Sequence, residues 1–324
     1  MTLPPVDAVL LLSFGGPEGP DEVMPFLERV TRGRGVPLER LQEVARHYLE
    51  GFGGVSPLPE QCRRLRAALE AELVARGPDL PVYWGNRNGQ PLLADTVATM
   101  AADGVRHAVV VTTSAFPSYS GCRQYREDLA GAAGPVVLTK LRTYWPEPGF
   151  LDPVRRNALR AAEGLTAPFL LFTAHSVPVS MARASGPRGG AYEQALREAS
   201  ARVAGDLPWD LAWQSRSGPP SVAWLEPDVA DRLVSLASEG VREVVLVPVG
   251  FTSDHVEVVY DLDLVAVPGA PAGMTVRRAE TVGTDPAFVA MLRDLVVERI
   301  AGPDRDDHGG VGTQDECPAT CCLG

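Results

Sequence analysis

Short β-branched apolar runs alternate along the chain with longer stretches in which Leu, Val and Ala recur every three to four residues. Runs of the first kind, at Ala8–Leu12, Val82–Trp84, Ala108–Thr112, Val136–Leu138, Phe169–Phe172, Leu211–Trp213, Val244–Val247 and Val276–Arg278, predict strands. Between them, Pro57–Arg76, Leu92–Asp103, Tyr192–Val203, Asp228–Glu239 and Pro286–Ile300 predict helices with one buried face. Such alternation is the pattern of an α/β protein, a parallel sheet covered by helices.

The pattern also repeats. "ADTVATMAADGVRHAVVV" from Ala94 is echoed by "ADRLVSLASEGVREVVLV" from Ala230, with helix, Gly-Val-Arg turn and Val-rich strand in the same places. Upstream, "WGNRNGQP" from Trp84 is echoed by "WQSRSGPP" from Trp213. The chain is therefore expected to be two similar α/β halves, residues 1–146 and 147–302, joined near Tyr144–Pro153. A ligand cleft between the halves is the default consequence.

With 324 residues, 45% hydrophobic and 22% charged, the chain has ample material for a core. A net charge of -11 argues against nucleic acid, which leaves a basic footprint on its binders. The opening "MTLPPVDAVLLLSFGG" has no basic leader, and its apolar run is too short for a secretion signal or a span. A cytoplasmic protein without stable membrane insertion is expected, in a compartment that keeps thiols reduced. Three of the five cysteines, Cys317, Cys321 and Cys322, fall in the final "DECPATCCLG" behind a polar, Gly-rich connector. They read either as metal ligands or as a frayed terminus.

Candidate chemistry clusters at strand ends. His175 in "FLLFTAHSVP" follows an apolar strand and emerges at its carboxyl edge, where open α/β sheets bind ligands; a structural imidazole is the competing reading. "FTSDHVEVVYDLD" emerges at a second such edge and carries Asp254, His255, Glu257, Asp261 and Asp263. If it is helical, Asp254, Glu257 and Asp261 share a face; if extended, His255, Glu257 and Val259 do. A solvated acidic helix start is the bland alternative, but an imidazole and a carboxylate facing one cleft suit Fe(II) or proton transfer. "FGGPEGP" does not fit a dinucleotide fingerprint, and Pro17 and Pro20 remove amides that would cradle phosphate. In "TRGRG", Arg32 and Arg34 suit ligand carboxylates or form an exposed basic loop. Ser56 in "GFGGVSPLPEQ" is placed as a helix cap.

Taken in order, "LLLSFGGPEGP", "TRGRG", "GGVSPL", "SYSGCRQYRED", "FTAHSVP", "WQSRSGPPSVAWLEPDV" and "VPVGFTSDHVEVVYD" resemble the ferrochelatase family along nearly the whole chain. The variant resembles the actinobacterial branch, whose members are taken to insert ferrous iron into coproporphyrin III rather than protoporphyrin IX. The resemblance implies two Rossmann-like, chelatase-type domains with porphyrin held between them. It places the metal-site histidine on His175 and the metal-site glutamate on Glu257, with Asp254, Asp261 and Asp263 extending an acidic relay. Ser56 and Tyr125 match porphyrin-contacting positions, and Phe14 stands where related bacterial enzymes carry a tyrosine able to approach iron. His47-Tyr48 replaces an Arg-Tyr pair of some relatives.

The same resemblance gives the tail a purpose. Some family members hold a [2Fe-2S] cluster with one internal and three C-terminal cysteines, which match Cys122 and Cys317, Cys321 and Cys322. The tail, residues 303–324, would then fold back onto the first domain, and Cys62 would be a structural thiol. The C-x3-C-C spacing by itself leaves zinc and iron–sulfur equal. The implied activity is coproporphyrin ferrochelatase, with coproporphyrin III and Fe2+ as substrates, a monomeric state and transient contact with neighbouring haem-pathway enzymes. Alternatives are a protoporphyrin IX ferrochelatase, a chelatase for cobalt or nickel and another tetrapyrrole, and a non-catalytic porphyrin or haem carrier.

Overall fold

A computed structural model describes residues 3–33, 35–132, 134–219, 221–302, 309–314 and 317–323. Contacts divide the chain into two compact units, one of residues 1–113, 126–141 and 292–302, the other of 114–125, 142–291 and the described tail. This division differs from the expected boundary. The tail groups with the second unit, not the first, and so does the short 114–125 segment that carries Cys122.

In the first unit, β1 (Ala8–Ser13), β2 (Val82–Asn86), β3 (His107–Thr112) and β4 (Val137–Lys140) form a parallel sheet in the order β2-β1-β3-β4. In the second, β5 (Phe169–His175), β6 (Trp209–Gln214), β7 (Glu243–Val247) and β8 (Thr275–Arg278) form a parallel sheet in the order β6-β5-β7-β8. The two orders are the same, so the repeat seen in sequence is a repeat of topology. Central strands are buried on both faces, which is why β1 and β3 read as continuous apolar runs.

The repeated turn shows how local chemistry fixes this geometry. Leu93–Ala102 and Val229–Ser238 are helices, closed by Val105 N–H to Met100 O at 2.9 Å and Val241 N–H to Leu236 O at 3.0 Å. Gly104 and Gly240 lie at φ +86° and +90°, a left-handed conformation that costs a side chain its comfort but costs glycine little. Each helix thus turns directly into the following strand.

Helices not singled out from the sequence cover Val23–Val30, Leu38–Phe52, Gln124–Ala132, Pro148–Ala162 and Val179–Ala184. Pro148–Ala162 occupies the stretch expected to be a joint. Pro148 fits the first helical turn, and burial of Phe150, Leu151, Val154, Ala158 and Ala162 offsets the hydrogen bond that Pro153 forgoes inside the helix. Among the described residues no helix is long and apolar enough to cross a membrane.

Candidate active site

β5 runs three residues further than the apolar pattern indicates and ends on His175, paired in register with Gln214 at the end of β6. Beyond β7 the chain turns through 248–255 into one helical turn, Val256–Val258, that widens into π-helical geometry over Val259–Ala266. Such wide turns are uncommon and concentrate at functional sites. This helical form puts Glu257 and Asp261 four residues apart on one side.

Glu257 Oε1 lies 3.5 Å from His175 Nε2. His175 Nδ1 lies 2.5 Å from Ser176 O. A carbonyl only accepts, so Nδ1 carries a hydrogen and Nε2 is the nitrogen turned to Glu257, free to exchange a proton or meet a metal. Tyr192 O–H donates to His175 O at 2.9 Å and holds the strand end in place. His255 has a different task. Its Nδ1 accepts from Glu257 N–H at 3.2 Å, capping the turn that carries the glutamate.

The charges follow from these contacts. Burial opposes a charged His175, yet the Glu257 charge and hydrogen bond, the Ser176 carbonyl and Asp261 outweigh it and raise the imidazole to about 9. Burial pushes Glu257 up, but His175 pulls it down more strongly, to about 2. The pair is therefore an ion pair at neutral pH. Asp261 is raised to about 6 by burial and then by Glu257, against hydrogen bonds from Ser215 and Gln214. Burial, with the His175 charge, keeps His255 below the ordinary imidazole value despite Glu257 and Asp254.

Gln214 and Ser215 were not singled out from the sequence, although both lie in the repeated "WQSRSGPP". Gln214 Nε2 donates to Glu257 O at 3.1 Å and Ser215 O–H donates to Asp261 Oδ2. Ser215 is a non-glycine residue at φ +61°, a strained conformation that tends to persist at functional sites. Gln214 Oε1 is buried with no partner among the described residues.

Asp254 and Asp263 do not extend the relay as expected. Arg278 Nε and Nη2 fork the two oxygens of Asp263 at 2.7 and 2.9 Å, and Nη1 reaches Asp254 Oδ1 at 2.8 Å. Only Asp261 of the three aspartates joins Glu257 and His175.

The remaining expected residues fall elsewhere. Phe14, in the first unit, packs edge-on against Phe26 at 6.0 Å and under the Arg87 guanidinium at 5.8 Å, and the residue is 37% exposed. Ser56 is buried and its hydroxyl accepts from Leu58 N–H at 3.3 Å, but the cap position of the helix Leu58–Arg76 is Pro57, so Ser56 stands one residue ahead of the expected cap. Arg32 is exposed in the turn after Val23–Val30, while Arg34 lies outside the described residues. Tyr125 is buried near Tyr144 in the second unit.

The thiols gather on the second unit. Cys321 Sγ and Cys322 Sγ are 3.7 Å apart, Cys322 Sγ accepts from Gly186 N–H at 3.2 Å, and Cys317 Sγ accepts from Gln314 Nε2 at 3.3 Å. The Cys321 thiol, bonded to Cys317 and Cys322, is raised, whereas its hydrogen bond and that of Gly186 hold Cys322 at about 7 against burial. Cys122 sits in a π-helical turn, Tyr119–Arg123, and its neighbour Arg123 donates to the carbonyls of Ala319 and Cys321. Among the described residues, no three His, Cys, Asp or Glu side chains are arranged to hold a metal ion. Cys62 stands apart in the first unit, donating to Ser13 Oγ at 3.2 Å and raised to about 11 by burial.

The family model for ferrochelatase matches residues 6–300. The chain belongs to the ferrochelatase family. It is 53% identical to the coproporphyrin III ferrochelatase of Frankia alni, covering 98% of this chain and 87% of that one. To the coproporphyrin III ferrochelatase of Nocardia farcinica it is 52% identical, over 98% and 97% of the two chains. SirB from Bacillus subtilis, solved with Fe3+, shares the fold at a TM-score of 0.55 and 13% identity, over 91% of this chain and 96% of that one. Family and fold thus agree with the two parallel-sheet units of this ferrochelatase-family chain.

Proposed function

We propose that the chain inserts ferrous iron into coproporphyrin III, forming Fe-coproporphyrin III in haem biosynthesis. The reaction is porphyrin-H2 plus Fe2+ going to Fe-porphyrin plus two H+. It therefore needs a ligand for the incoming cation and acceptors for two pyrrole protons. The observation that carries the proposal is the His175–Glu257 pair, with Nδ1 fixed so that Nε2 faces the carboxylate. At neutral pH this pair holds one proton, which a divalent cation displaces on reaching Nε2, because metal and proton compete for the same lone pair. Glu257, 47% exposed, then takes up and passes on protons leaving the pyrroles, and Asp261, raised to about 6, is the next acceptor.

Support for coproporphyrin over protoporphyrin comes from relatives that carry that name at about half identity over the whole chain. Ser56, Tyr125, Arg32, Arg34 and Phe14 are proposed as the porphyrin-contacting positions, with the two arginines suited to propionates. Phe14 has no oxygen, so it offers the ring a face rather than an axial ligand.

A [2Fe-2S] cluster held by Cys122, Cys317, Cys321 and Cys322 is part of the same reading. The chemistry of the donors fits: two sulfurs at 3.7 Å, two N–H donors aimed at sulfur, and Arg123 tying the tail to the segment of Cys122. When bound, such a cluster supplies one-electron chemistry and a cross-link between the tail and the 114–125 segment. Cys62, raised to about 11 and paired with Ser13, is the thiol left out.

Anaerobic incubation with Fe2+ and each porphyrin in turn, followed by absorbance, tests the function. Faster conversion of coproporphyrin III is expected. A porphyrin that binds, seen by quenched fluorescence, but is never metallated would make the chain a carrier; equal or faster conversion of protoporphyrin IX would overturn the substrate.

A further inference from the structure

The segment from Asp254 to Asp263 holds His255, Glu257 and Asp261 and is fastened at both ends by one side chain. Arg278 closes β8, where Leu246 and Arg278 are in register and Ala279 N–H bonds Leu246 O at 2.9 Å. Its guanidinium rises from a strand fixed in the sheet rather than from a loop. Nε and Nη2 take both oxygens of Asp263, two residues after Asp261, at 2.7 and 2.9 Å. Nη1 takes Asp254 Oδ1, three residues before Glu257, at 2.8 Å. Arg278 also reaches Ala279 O at 3.2 Å, and Asp254 Oδ1 accepts from Thr281 N–H at 3.4 Å.

The arrangement divides the acids into two sets. Residues two apart on a helical turn point to opposite sides, so the turn that sends Asp263 to Arg278 sends Asp261 toward Ser215 and Gln214. The Arg278 side chain is 15% exposed, and a paired fork at that depth is both strong and directional. A lysine keeps the charge but cannot fork. Asp254 and Asp263 share the one Arg278 cation, whereas Asp261 faces Ser215 and Gln214 instead.

The geometry points to Arg278 as a positioning residue for metal insertion: its clamp on Asp254 and Asp263 sets where Glu257 and Asp261 stand relative to His175. This rests on the reading of Glu257 as the reacting carboxylate. Glu257 stands 3.5 Å from Nε2, and displacement of a reacting group by about 1 Å costs on the order of a hundredfold in rate. The turn carrying Glu257 is short, three residues before the π-helical stretch; His255 caps it and Gln214 holds the Glu257 carbonyl, while the Arg278 clamp fixes the segment on either side.

The test is steady-state insertion of Zn2+ into coproporphyrin III by Arg278→Lys, by the uncharged triple variant Asp254→Asn, Arg278→Met, Asp263→Asn, and by Glu257→Gln in parallel, each checked for folding by chemical denaturation. In Arg278→Lys, kcat is expected to fall roughly 10- to 100-fold with the porphyrin KM unchanged, because supporting groups of this kind act on the reaction and not on substrate binding. The triple variant, which leaves no unpaired charge, is expected to fold and to show the same loss of kcat. Wild-type kcat in either variant while Glu257→Gln is inactive overturns the clamp and leaves the role of Glu257 standing. Full activity of Glu257→Gln overturns the role of Glu257 instead, and the clamp with it. Should Arg278→Lys fail to fold, the triple variant decides.

Discussion

Replacing Glu257 by Gln removes the charge that dominates His175 and keeps the shape. At 3.5 Å and an effective dielectric near 20, attraction between the two charges is about 5 kcal/mol. The rise of His175 from 6.5 to about 9 corresponds to about 3 kcal/mol, so burial returns the difference. Solvent reaches Glu257, 47% exposed, and the net stabilisation expected from the pair is roughly 1 to 2 kcal/mol. In Glu257→Gln, His175 is expected to titrate at 6.5 or below, burial then being opposed only by Ser176 and Asp261. The chain has only five histidines, so in histidine-labelled protein the His175 titration is followed by NMR and assigned by its loss in His175→Ala. The stability difference between parent and variant has a fixed sign with pH. The raised His175 contributes fully below 6.5 and loses its contribution as pH climbs through about 9. The lowered Glu257 contributes above 4.5 and loses its contribution as pH falls through about 2. The gap is thus widest between about 4.5 and 6.5 and closes on either side. A His175 that still titrates near 9 in Glu257→Gln would refute the pairing as the cause, and with it the shared proton on which the proposed insertion step depends.

Cys122→Ser is expected to abolish visible cluster absorption and bound iron in protein isolated anaerobically, while Cys62→Ser leaves both intact; retention of the cluster in the first variant removes Cys122 from the ligand set. Gly186→Ala places a Cβ 2.4 Å from Ala191 Cβ at φ +74°, and a loss of roughly 2 to 4 kcal/mol is expected from denaturant titration; a change below about 0.5 kcal/mol would contradict the packing. Tyr192→Phe takes the donor from the buried end of β5, with an expected cost of about 1 to 3 kcal/mol by the same measurement; an unchanged midpoint would mean that His175 O finds another partner.

What the sequence made legible was what depends on neighbours along the chain. All eight strands were marked by local apolar runs, and the two-fold repeat by a turn that closes on its own helix, Val105 on Met100 and Val241 on Leu236. His175 and Glu257 were placed correctly at carboxyl edges because strand direction alone decides which end of a parallel strand faces the ligand edge. Illegible features were those settled by residues far apart. Pro148 and Pro153 mark a break by local rules, but burial of one face of Pro148–Ala162 overrides them. Asp254 and Asp263 look like members of the Glu257 cluster when counted along the chain. Their partner is Arg278, 24 and 15 residues downstream on a different strand, and only the sheet brings it to them. The tail behaves in the same way: Cys317, Cys321 and Cys322 are adjacent in sequence, yet the group that binds Cys322 is Gly186, on the turn after the helix that follows His175. A run of acids or thiols therefore announces chemistry without dividing its labour. The cations and amides that the fold brings against each member divide the carboxylates, pairing Asp254 and Asp263 with Arg278 and setting Glu257 against His175 and Asp261 against Ser215.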